Sequence, residues 1–526
     1  MKELANGLSA LKISVCLMPL FCMGCATMTP ETRNQESTLA MSMPTQYGAF
    51  ANFHGLEAEG DIVNSKKNLK NQEDSIVIQV TPSDQTAHVS GVPIQTAIEP
   101  REHAWWTDFN SDDLNKLIEK SLTTNFDVAK AWATLRQSEA TARVARAGLF
   151  PSLDGSGSTG RERTSSQANS SSSRTEDSAS SFGLGLAASY EVDLWGRVNA
   201  EREAELLRLQ ATAYDLETAR MTVAASVATA WASLLGKQAE LKVVQNQINI
   251  NADIVTLQQA RFLNGMSTSL DVLQQQEVLA ALEAAVPSLE QESVILRNEL
   301  AVLQGTLPST GLVINEKAAL PHIDDIPAVG LPIQLLDARP DIQAAWARLE
   351  AADWDVTKAR ANRYPTISLS ASMLFNAAES AVLFSNWIAA LTGSLTMPIL
   401  DGGALAAEEE RARAVADELI QSYAQTVATA MKEVGDALAT ELGEKKTLQR
   451  LHEQLVFATA ARNEALNGYL GGTTDFLNYI TELKNVQSLE RSLAQQESIL
   501  VQARITLNRT LGGLTFPQVM NAMSLK

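Results

Sequence analysis

The sequence predicts a mainly α-helical protein that also carries four membrane β-strands and is internally duplicated. Residues 197–263 and 404–470 contain no proline, and each stretch would be about 100 Å long as a single helix. Between the helical stretches lie segments in which apolar and polar residues alternate, the pattern of strands with one apolar face. Gly265 and Gly472 stand in similar segments, and a repeat at such a long period indicates a duplicated architectural unit.

The overall composition excludes several classes of function. The 526 residues include 42 Lys and Arg against 61 Asp and Glu, a net charge of -19, whereas proteins that bind nucleic acid carry excess positive charge. Hydrophobic residues make up 45% of the chain, which excludes wholesale disorder. The histidines are scattered, and no phosphate-binding, zinc or nucleophile motif appears in a suitable context. The sequence therefore predicts that the protein is not an enzyme, holds no metal or cofactor, and binds no nucleic acid.

The first residues have the features of a bacterial export signal. Lys2 and Lys12 precede an apolar run at 13–24, which is too short for a membrane-spanning helix. Gly24 and Cys25 then match the end of a lipobox, in which a small residue precedes the cysteine that is lipidated. This pattern predicts cleavage after residue 24 and lipidation of Cys25. The alternative is an ordinary signal peptide that is cut elsewhere.

The remainder of the chain changes character near residue 105. Residues 25–100 show no sustained periodicity, which predicts an extended or partly disordered leader. Helical composition returns at 114–149, and shorter helical stretches at 270–303 and 476–511 follow the two long ones. In the last of these stretches leucines recur at coiled-coil spacing, so helix pairs are expected.

The alternating segments have the length of transmembrane β-strands, roughly 9–11 residues. The clearest pattern is at 181–194, where every even position is apolar. The serine-rich, charged segment 161–181 is predicted to be a loop outside the cell, where membrane barrels keep their long loops. The four predicted strands are 152–158, which has the weakest pattern, 181–194, 366–375 and 387–397.

Several short motifs carry a resemblance to one known family. They are SYEVDLWGR at 189–197, LLDARPDI at 335–342, MPILDGG at 397–403, Glu433-Val434, Asp436-Ala437-Leu438 and LGG at 511–513. On these residues the chain resembles the TolC/OprM-type outer-membrane efflux lipoproteins, the NodT-like outer membrane factors. The resemblance covers about residues 105–513 in order and is highly specific as a set. The chain departs from the family pattern at Ala338, where the family usually has an arginine.

The resemblance and the number of strands agree on an oligomer. Four strands cannot close a barrel, eight leave an interior filled by side chains, and twelve leave room for a lumen. Three chains would supply twelve strands, and the family is trimeric. The implied fold class is mainly α with membrane β: a trimeric twelve-stranded β-barrel, four strands per chain, continued by a long periplasmic α-helical barrel.

The function that the resemblance implies is a passive exit duct of a tripartite efflux system. Small molecules, such as drugs and toxic compounds, would be delivered by an inner-membrane transporter through a periplasmic adaptor protein. The implied transporter is of the resistance-nodulation-division type. The homotrimer would contact lipid in the bacterial outer membrane, be anchored by its lipidated N-terminus, and extend into the periplasm.

Two other functions are alternatives to the efflux duct. An outer-membrane duct for type I protein secretion would have the same fold, although lipidation and the Arg339-Pro340-Asp341 segment favour efflux. A non-channel coiled-coil protein of the cell envelope is the other alternative, and the alternating strands argue against it.

The duplication divides the chain into segments. Each repeat is predicted to contain a helix, two strands and a long helical hairpin. The predicted segments are a signal peptide at 1–24, a lipidated leader at 25–100, the first repeat at 101–305, a connector in the equatorial region at 306–335, the second repeat at 336–513 and a C-terminal tail at 514–526.

The candidate site residues lie around the two glycine turns, which the resemblance places at the periplasmic tips. Gly265 and Gly472 permit the abrupt reversal of a helical hairpin, and a purely structural role is the alternative to adaptor contact. The residues beside the turns that we expect to contact the adaptor are Arg261, Leu270, Asp271 and Phe476.

The resemblance also implies a periplasmic gate just past the second turn. In the family a ring of leucine and a ring of aspartate close the pore, and the leucine corresponds to Leu477. The aspartate position is Thr481 in this chain, with Glu482 adjacent, and an arginine of the family's gate region is replaced by Gly468. The alternative role of Leu477 is ordinary helix packing.

Overall fold

The computed structural model describes residues 28–30, 104–166, 175–308, 319–323, 326 and 335–512. The chain forms two compact units. The first contains the described parts of 1–30, 146–201 and 354–411, and the second contains those of 31–145, 202–353 and 412–526. The predicted signal peptide, Cys25, most of the leader and the C-terminal tail lie outside the described residues.

Helices dominate the described part of the chain, and four strands form one sheet. In chain order the elements are α1 (Asp112–Thr124), α2 (Phe126–Ala147), β1 (Ser152–Ser166), β2 (Thr175–Val192), α3 (Arg197–Leu263), α4 (Ser269–Leu303), α5 (Leu335–Ala338), α6 (Pro340–Ala361), β3 (Thr366–Ala377), β4 (Trp387–Thr396), α7 (Ala404–Leu470) and α8 (Phe476–Thr510). Short 3-10 helices occupy Trp105–Phe109 and Ser380–Ser385.

The two long helices have the predicted bounds, and an aspartate fixes the start of each. The carboxylate of Asp193 accepts hydrogen bonds from two backbone N–H groups of the first turn of α3, at 3.0 and 2.8 Å. At the start of α7, Asp401 accepts from the N–H groups of Leu405 and Gly403, both at 2.9 Å. These bonds stabilise the charged carboxylate and lower the pKa of Asp401, with the bond from Leu405 contributing most. Among the described residues, no helix combines the length and hydropathy of a membrane span.

The first predicted helical stretch is two helices rather than one. Composition alone extended a single helix over 114–149, but α1 ends before Asn125 and α2 begins after it. The Asn125 amide donates to the carbonyl of Leu303 at 2.8 Å, and its side-chain oxygen accepts the N–H of Asp127 at 2.8 Å. Asn125 therefore caps α2 and ties the break to the end of α4.

All four predicted strands are present in one antiparallel sheet, in the order β1-β2-β3-β4. The prediction of a loop at 161–181 is wrong in its extent, because β1 continues to Ser166 and β2 begins at Thr175. The extra residues pair one by one, from Ser158 opposite Gly183 to Ser166 opposite Thr175. Backbone hydrogen bonds between β1 and β2 stabilise this part of the hairpin. Its residues show no alternation of apolar and polar side chains, so the sequence pattern does not predict a strand here.

The two faces of the sheet differ in chemistry. One face carries Leu184, Phe375 and Trp387 in one row across three strands, and Val192, Ile367 and Leu395 in another. The opposite face is lined mainly by small hydroxyl side chains and glycine. On this face the hydroxyl groups of Ser152 and Ser189 are in contact, as are those of Ser368 and Ser394. Other hydroxyl residues of this face are Ser156, Ser158, Ser181, Ser370, Ser372, Thr392 and Thr396.

The duplication is visible in two close backbone approaches of the second unit. A Cβ built on Gly305 would lie 2.1 Å from the carbonyl oxygen of Thr124, and one on Gly512 would lie 2.5 Å from that of Ala338. Both glycines follow the shorter helix of a hairpin, and both contact the chain just before a polar residue, Asn125 or Arg339. Only glycine permits this approach, so the two repeats share the same joint.

Candidate functional site

The first helical hairpin reverses at Gly265, which ends α3 in the left-handed conformation with φ 71°. The N–H of Met266 donates to the carbonyl of Arg261 at 2.8 Å, and the N–H of Gly265 donates to that of Phe262 at 2.9 Å. This pair of bonds is a Schellman motif, which satisfies the last carbonyl groups of the helix. The predicted turn is therefore present at the predicted glycine.

The second hairpin uses the same motif at Gly472, where φ is 73°. The N–H of Thr473 donates to the carbonyl of Gly468 at 2.8 Å, and that of Gly472 donates to Tyr469 at 3.2 Å. The two turns thus have equivalent backbones, and any functional difference between them resides in side chains.

The residues that start the shorter helices make the two turns unequal. Thr268 and Asp271 form a capping box at α4: the Asp271 carboxylate accepts the N–H of Thr268 at 2.8 Å, and the Thr268 hydroxyl accepts the N–H of Asp271 at 3.2 Å. The equivalent cap of α8 is Asp475, whose side chain makes no capping bond. Asp271 therefore has a structural role in the capping box. Asp475, which no sequence motif marks, is the exposed carboxylate at the turns.

Tyr469 connects the two hairpins near their turns. Its hydroxyl group exchanges hydrogen bonds with the side chain of Gln258 at 3.1 and 3.2 Å. The guanidinium carbon of Arg261 lies 4.8 Å from the centre of the Tyr469 ring, within the range of a cation–π interaction. Phe476 is buried against Tyr469 and Tyr479, at ring-centre distances of 5.3 and 6.0 Å. Arg261 and Phe476 are thus held by contacts inside the chain, and Tyr469 and Gln258 are partners that the sequence did not reveal.

Buried amide side chains make further hydrogen bonds within the first hairpin and between the two hairpins. Gln275 donates to the side-chain oxygen of Asn251 at 2.8 Å, within the first hairpin. Gln247 donates to the backbone carbonyl of Gln487 at 2.9 Å and to the carboxylate of Glu490 at 2.8 Å, which joins α3 to α8. A side-chain amide has both donor and acceptor groups in fixed positions, so these buried hydrogen bonds favour one alignment of the helices.

The predicted gate residues do not share one face of α8. Leu477 is 55% exposed in the chain, and the hydroxyl of Thr481, one turn later, donates to its carbonyl at 2.7 Å. Glu482 lies five residues after Leu477, about 140° around the helix, and is half-buried. Leu477 and Thr481 therefore lie on one exposed face, whereas Glu482 lies on another.

That exposed face continues along α8 as a stripe, where Lys484 is an exposed charged residue and the half-buried Arg491 lies on the same side of the helix. Lys484 lies on the stripe, and its ammonium group is 3.6 Å from the carboxylate of Glu277 on α4. Both side chains are more than half exposed, so the pair adds little stability. No sequence motif marks Lys484 as a functional residue. The stripe consists of Leu477, Thr481, Lys484, Ser488, Gln495 and Ile499.

Leu270 lies beside the first turn and is 60% exposed. Leu263 and Met266, on the same turn, are also exposed, so the tip of the first hairpin presents an apolar surface. Between Phe262 and Leu270 the chain has no charged residue. The first turn thus offers apolar contacts, while the second offers Leu477 and a carboxylate.

Arg339, from the motif that contributes to the resemblance, joins three elements of the second unit. Its guanidinium donates to both carboxylate oxygens of Asp341, at 3.0 and 2.6 Å, and to the carboxylate of Glu433 on α7 at 2.9 Å. It also reaches the carbonyl of Thr510 at the end of α8, at 3.3 Å. The side chain is 6% exposed, so this motif is a buried structural joint rather than a surface site.

Comparison with known proteins matches these features to one family. A sequence model described as "Outer membrane efflux protein" matches residues 117–306 and 331–513, one segment for each repeat. The chain belongs to the outer membrane efflux protein family. Every motif at the turns, in α8 and around Arg339 lies within the matched residues.

Relatives of this efflux protein include two outer membrane proteins from Pseudomonas aeruginosa. The pyoverdine export outer membrane protein OpmQ is 30% identical over 412 residues, which cover 78% of this chain and 87% of OpmQ. The outer membrane protein OprJ of the same species is 30% identical over 418 residues, covering 78% of this chain and 86% of OprJ. Among solved structures, the outer-membrane channel OprN superposes with a TM-score of 0.72 at 29% identity, covering 78% of this chain and 92% of OprN.

These findings confirm the resemblance, the fold class and the predicted function of an outer-membrane efflux duct. They also confirm that this efflux protein is not an enzyme, because the family and its solved members are channels for transport. The two matched segments agree with the predicted duplication.

Proposed function

We propose that three copies of this efflux protein form the exit duct of a tripartite pump. The observation that carries the proposal is the sheet: it has one apolar face, and within the described residues its outer strands β1 and β4 each pair on one side only. An open edge in a membrane would leave backbone groups without partners, and pairing β4 of one copy with β1 of the next closes a twelve-stranded barrel.

In the proposed trimer, the stripe of α8 faces the pore axis near the second turn. Three copies of Leu477 then form an apolar constriction, and Thr481 lies one helical turn further along α8 on the same face. Glu482 takes no part in this ring because it lies on a different face of the helix. No acidic residue stands on this stripe, where the family has an acidic ring, and Lys484 is its exposed charged residue.

We place the adaptor at the two helical turns. Leu270 and the apolar residues around Gly265 supply exposed contact surface, while Arg261, Asp271 and Phe476 keep the turns in shape through their contacts inside the chain. A resistance-nodulation-division transporter in the inner membrane would deliver the cargo. The relatives named for pyoverdine export and toluene efflux support small molecules as cargo.

The assembly has a direct test. The protein, purified in detergent, is expected to be a trimer by light scattering, to show a mainly helical circular dichroism spectrum, and to conduct ions in planar bilayers. A monomer without conductance would contradict the proposal, and so would a spectrum dominated by strand. A trimer that never conducts would instead favour an envelope-structural role.

We also propose that the N-terminus is a lipid anchor on Cys25. Residue 28, three positions after this cysteine, lies against the start of α3: the backbone nitrogen and oxygen of Met28 are 3.8 Å from the position of a Cβ on Gly196. Gly196 belongs to the same compact unit as the sheet, so the attached lipid would emerge on the membrane side of the molecule.

Replacing Cys25 with serine is expected to abolish incorporation of radiolabelled palmitate. The channel is still expected to insert and form trimers, because the apolar face of the barrel has its own affinity for lipid. The matched control is Cys16→Ser, outside the lipobox, which should leave labelling unchanged. Labelling that persists in Cys25→Ser would place the anchor elsewhere.

A further inference from the structure

The apolar face of the sheet ends at a defined level. Val192 and Phe182 mark its two ends on β2, and they are ten residues apart on the same face. At about 3.3 Å per residue and a tilt near 40°, this distance corresponds to a band about 25 Å tall. Phe375 and Trp387 lie opposite each other close to the upper end, at the level where membrane barrels carry an aromatic girdle.

β1 extends beyond this level, and two arginines follow on the same face. Thr159 lies opposite Phe182, and successive residues on one face of a strand are two apart. The next positions are therefore Arg161, opposite Ser180, and Arg163, opposite Ser178. Both arginines are exposed. Arg161 lies about 5 Å above the last apolar row at the same tilt.

Two acidic residues of this hairpin lie on the other face, whereas Glu176, opposite Ser165, shares the face of the two arginines. Glu162 is opposite Ala179, and Asp177 is opposite Thr164, so both carboxylates share the face of the hydroxyl side chains. Both are exposed. Just above the band, these residues therefore give a positive net charge on the lipid side, where Glu176 accompanies the two arginines, and a negative charge on the side of the proposed lumen.

We propose that Arg161 and Arg163 bind the phosphate groups of lipids in the outer leaflet. This inference rests on the proposed membrane barrel, because the barrel brings the apolar face into lipid. Guanidinium groups match phosphate oxygens with paired hydrogen bonds, and the two arginines project at the height of the lipid headgroups. Because the basic pair continues the lipid-facing band directly, a phosphate at this site belongs to a lipid whose acyl chains pack against the band.

The test measures lipid retained by the purified, full-length trimer in native mass spectrometry. The probes are bisphosphorylated lipid A and fully dephosphorylated lipid A, added separately to the same preparation. The wild-type protein is expected to prefer the phosphorylated form. Affinity for it should fall about fivefold in Arg161→Gln and about 25-fold in the double variant with Arg163→Gln, whereas affinity for the dephosphorylated form stays constant.

Two control variants separate the site from general charge effects. Glu162→Gln changes the same strand on its opposite face, and Arg450→Gln removes an exposed arginine of α7, outside the sheet. Neither should change the preference. Equal retention of the two lipids by the wild type, or an unchanged preference in the double variant, would overturn the inference. Displacement of the lipid by millimolar inorganic phosphate would do the same, because it would show a site for the free anion.

Conductance of the same preparations distinguishes this inference from the proposed function. A wild-type trimer that conducts but shows no lipid preference contradicts only the lipid site. A preparation that shows neither conductance nor trimers contradicts the membrane barrel itself. Retained trimers in the double variant, seen in the same spectra, show that the arginine changes leave the fold intact.

Discussion

Leu477→Ser is expected to raise single-channel conductance severalfold in planar bilayers and to sensitise cells to large antibiotics. Leu477 is 55% exposed within its own chain, so its side chain is available to meet its two symmetry mates at the axis of the proposed trimer. A narrow ring of leucine resists wetting, and serine at the same positions would bind water and admit ions. Thr481, one turn further on the same face, already supplies a hydroxyl behind the ring.

Leu270→Ser is the matched control for the gate. Leu270 lies at the equivalent place beside the first turn and is 60% exposed, so both changes remove a similar leucine from a similar site. We expect a small change in conductance and weaker binding of the adaptor, because Leu270 belongs to the apolar tip of the first hairpin. The gate would be misplaced if the two variants changed conductance equally, or if neither changed it.

Arg504→Met is expected to lower the free energy of unfolding by about 3–5 kcal/mol, the range for breaking a buried ion pair. Arg504 on α8 donates two hydrogen bonds to one carboxylate oxygen of Glu441 on α7, at 2.8 and 2.6 Å. The side chains are 11% and 1% exposed, so the substitution would leave a buried carboxylate without its positive partner. The measurement is chemical unfolding of the purified trimer, followed by the helical signal in circular dichroism.

Two comparisons show whether the loss comes from the buried charge. The double variant Glu441→Gln/Arg504→Met removes both charges and should recover most of the stability. Arg450→Met breaks the exposed pair with Glu453, in which the arginine is 77% exposed, and should cost less than about 1 kcal/mol. Equal losses for Arg450→Met and Arg504→Met would show that burial does not determine the effect.

The long helices could be predicted to the residue because local signals bound them. Asp193 and Asp401 cap the first turns of α3 and α7, and Gly265 and Gly472 terminate these helices at their other ends. The break at Asn125 escaped prediction because neither glycine nor proline marks it. Its stabilising contact, the carbonyl of Leu303, is distant in sequence.

The strands show the same division between local and distant information. Alternation located β2 at 181–192 but missed its first residues, and the outer half of β1 has no apolar residues and exists because β2 pairs with it. At the turns, the glycines and Leu477 were recognisable from the repeat. The contact between Tyr469 and Gln258 was not, because residues 211 positions apart in the chain meet only after folding. The different face of Glu482 follows from its spacing to Leu477 once the segment is known to be helical, whereas its half-burial could be seen only in the structure.

The hydroxyl-lined face of the sheet bears on how fast cargo escapes. Ser152 and Ser189 are hydrogen-bonded across it at 2.9 Å, and Ser368 and Ser394 at 2.6 Å, so these groups already satisfy one another. A hydroxyl in this state offers a passing solute only a weak, exchangeable bond and no charge. Neutral solutes of different shape would therefore meet a nearly flat free-energy profile along such a wall, whereas Asp154 and Glu191 on the same face would distinguish charged solutes. For neutral cargo, residence times would stay short, and release would proceed at the pace of diffusion rather than of desorption.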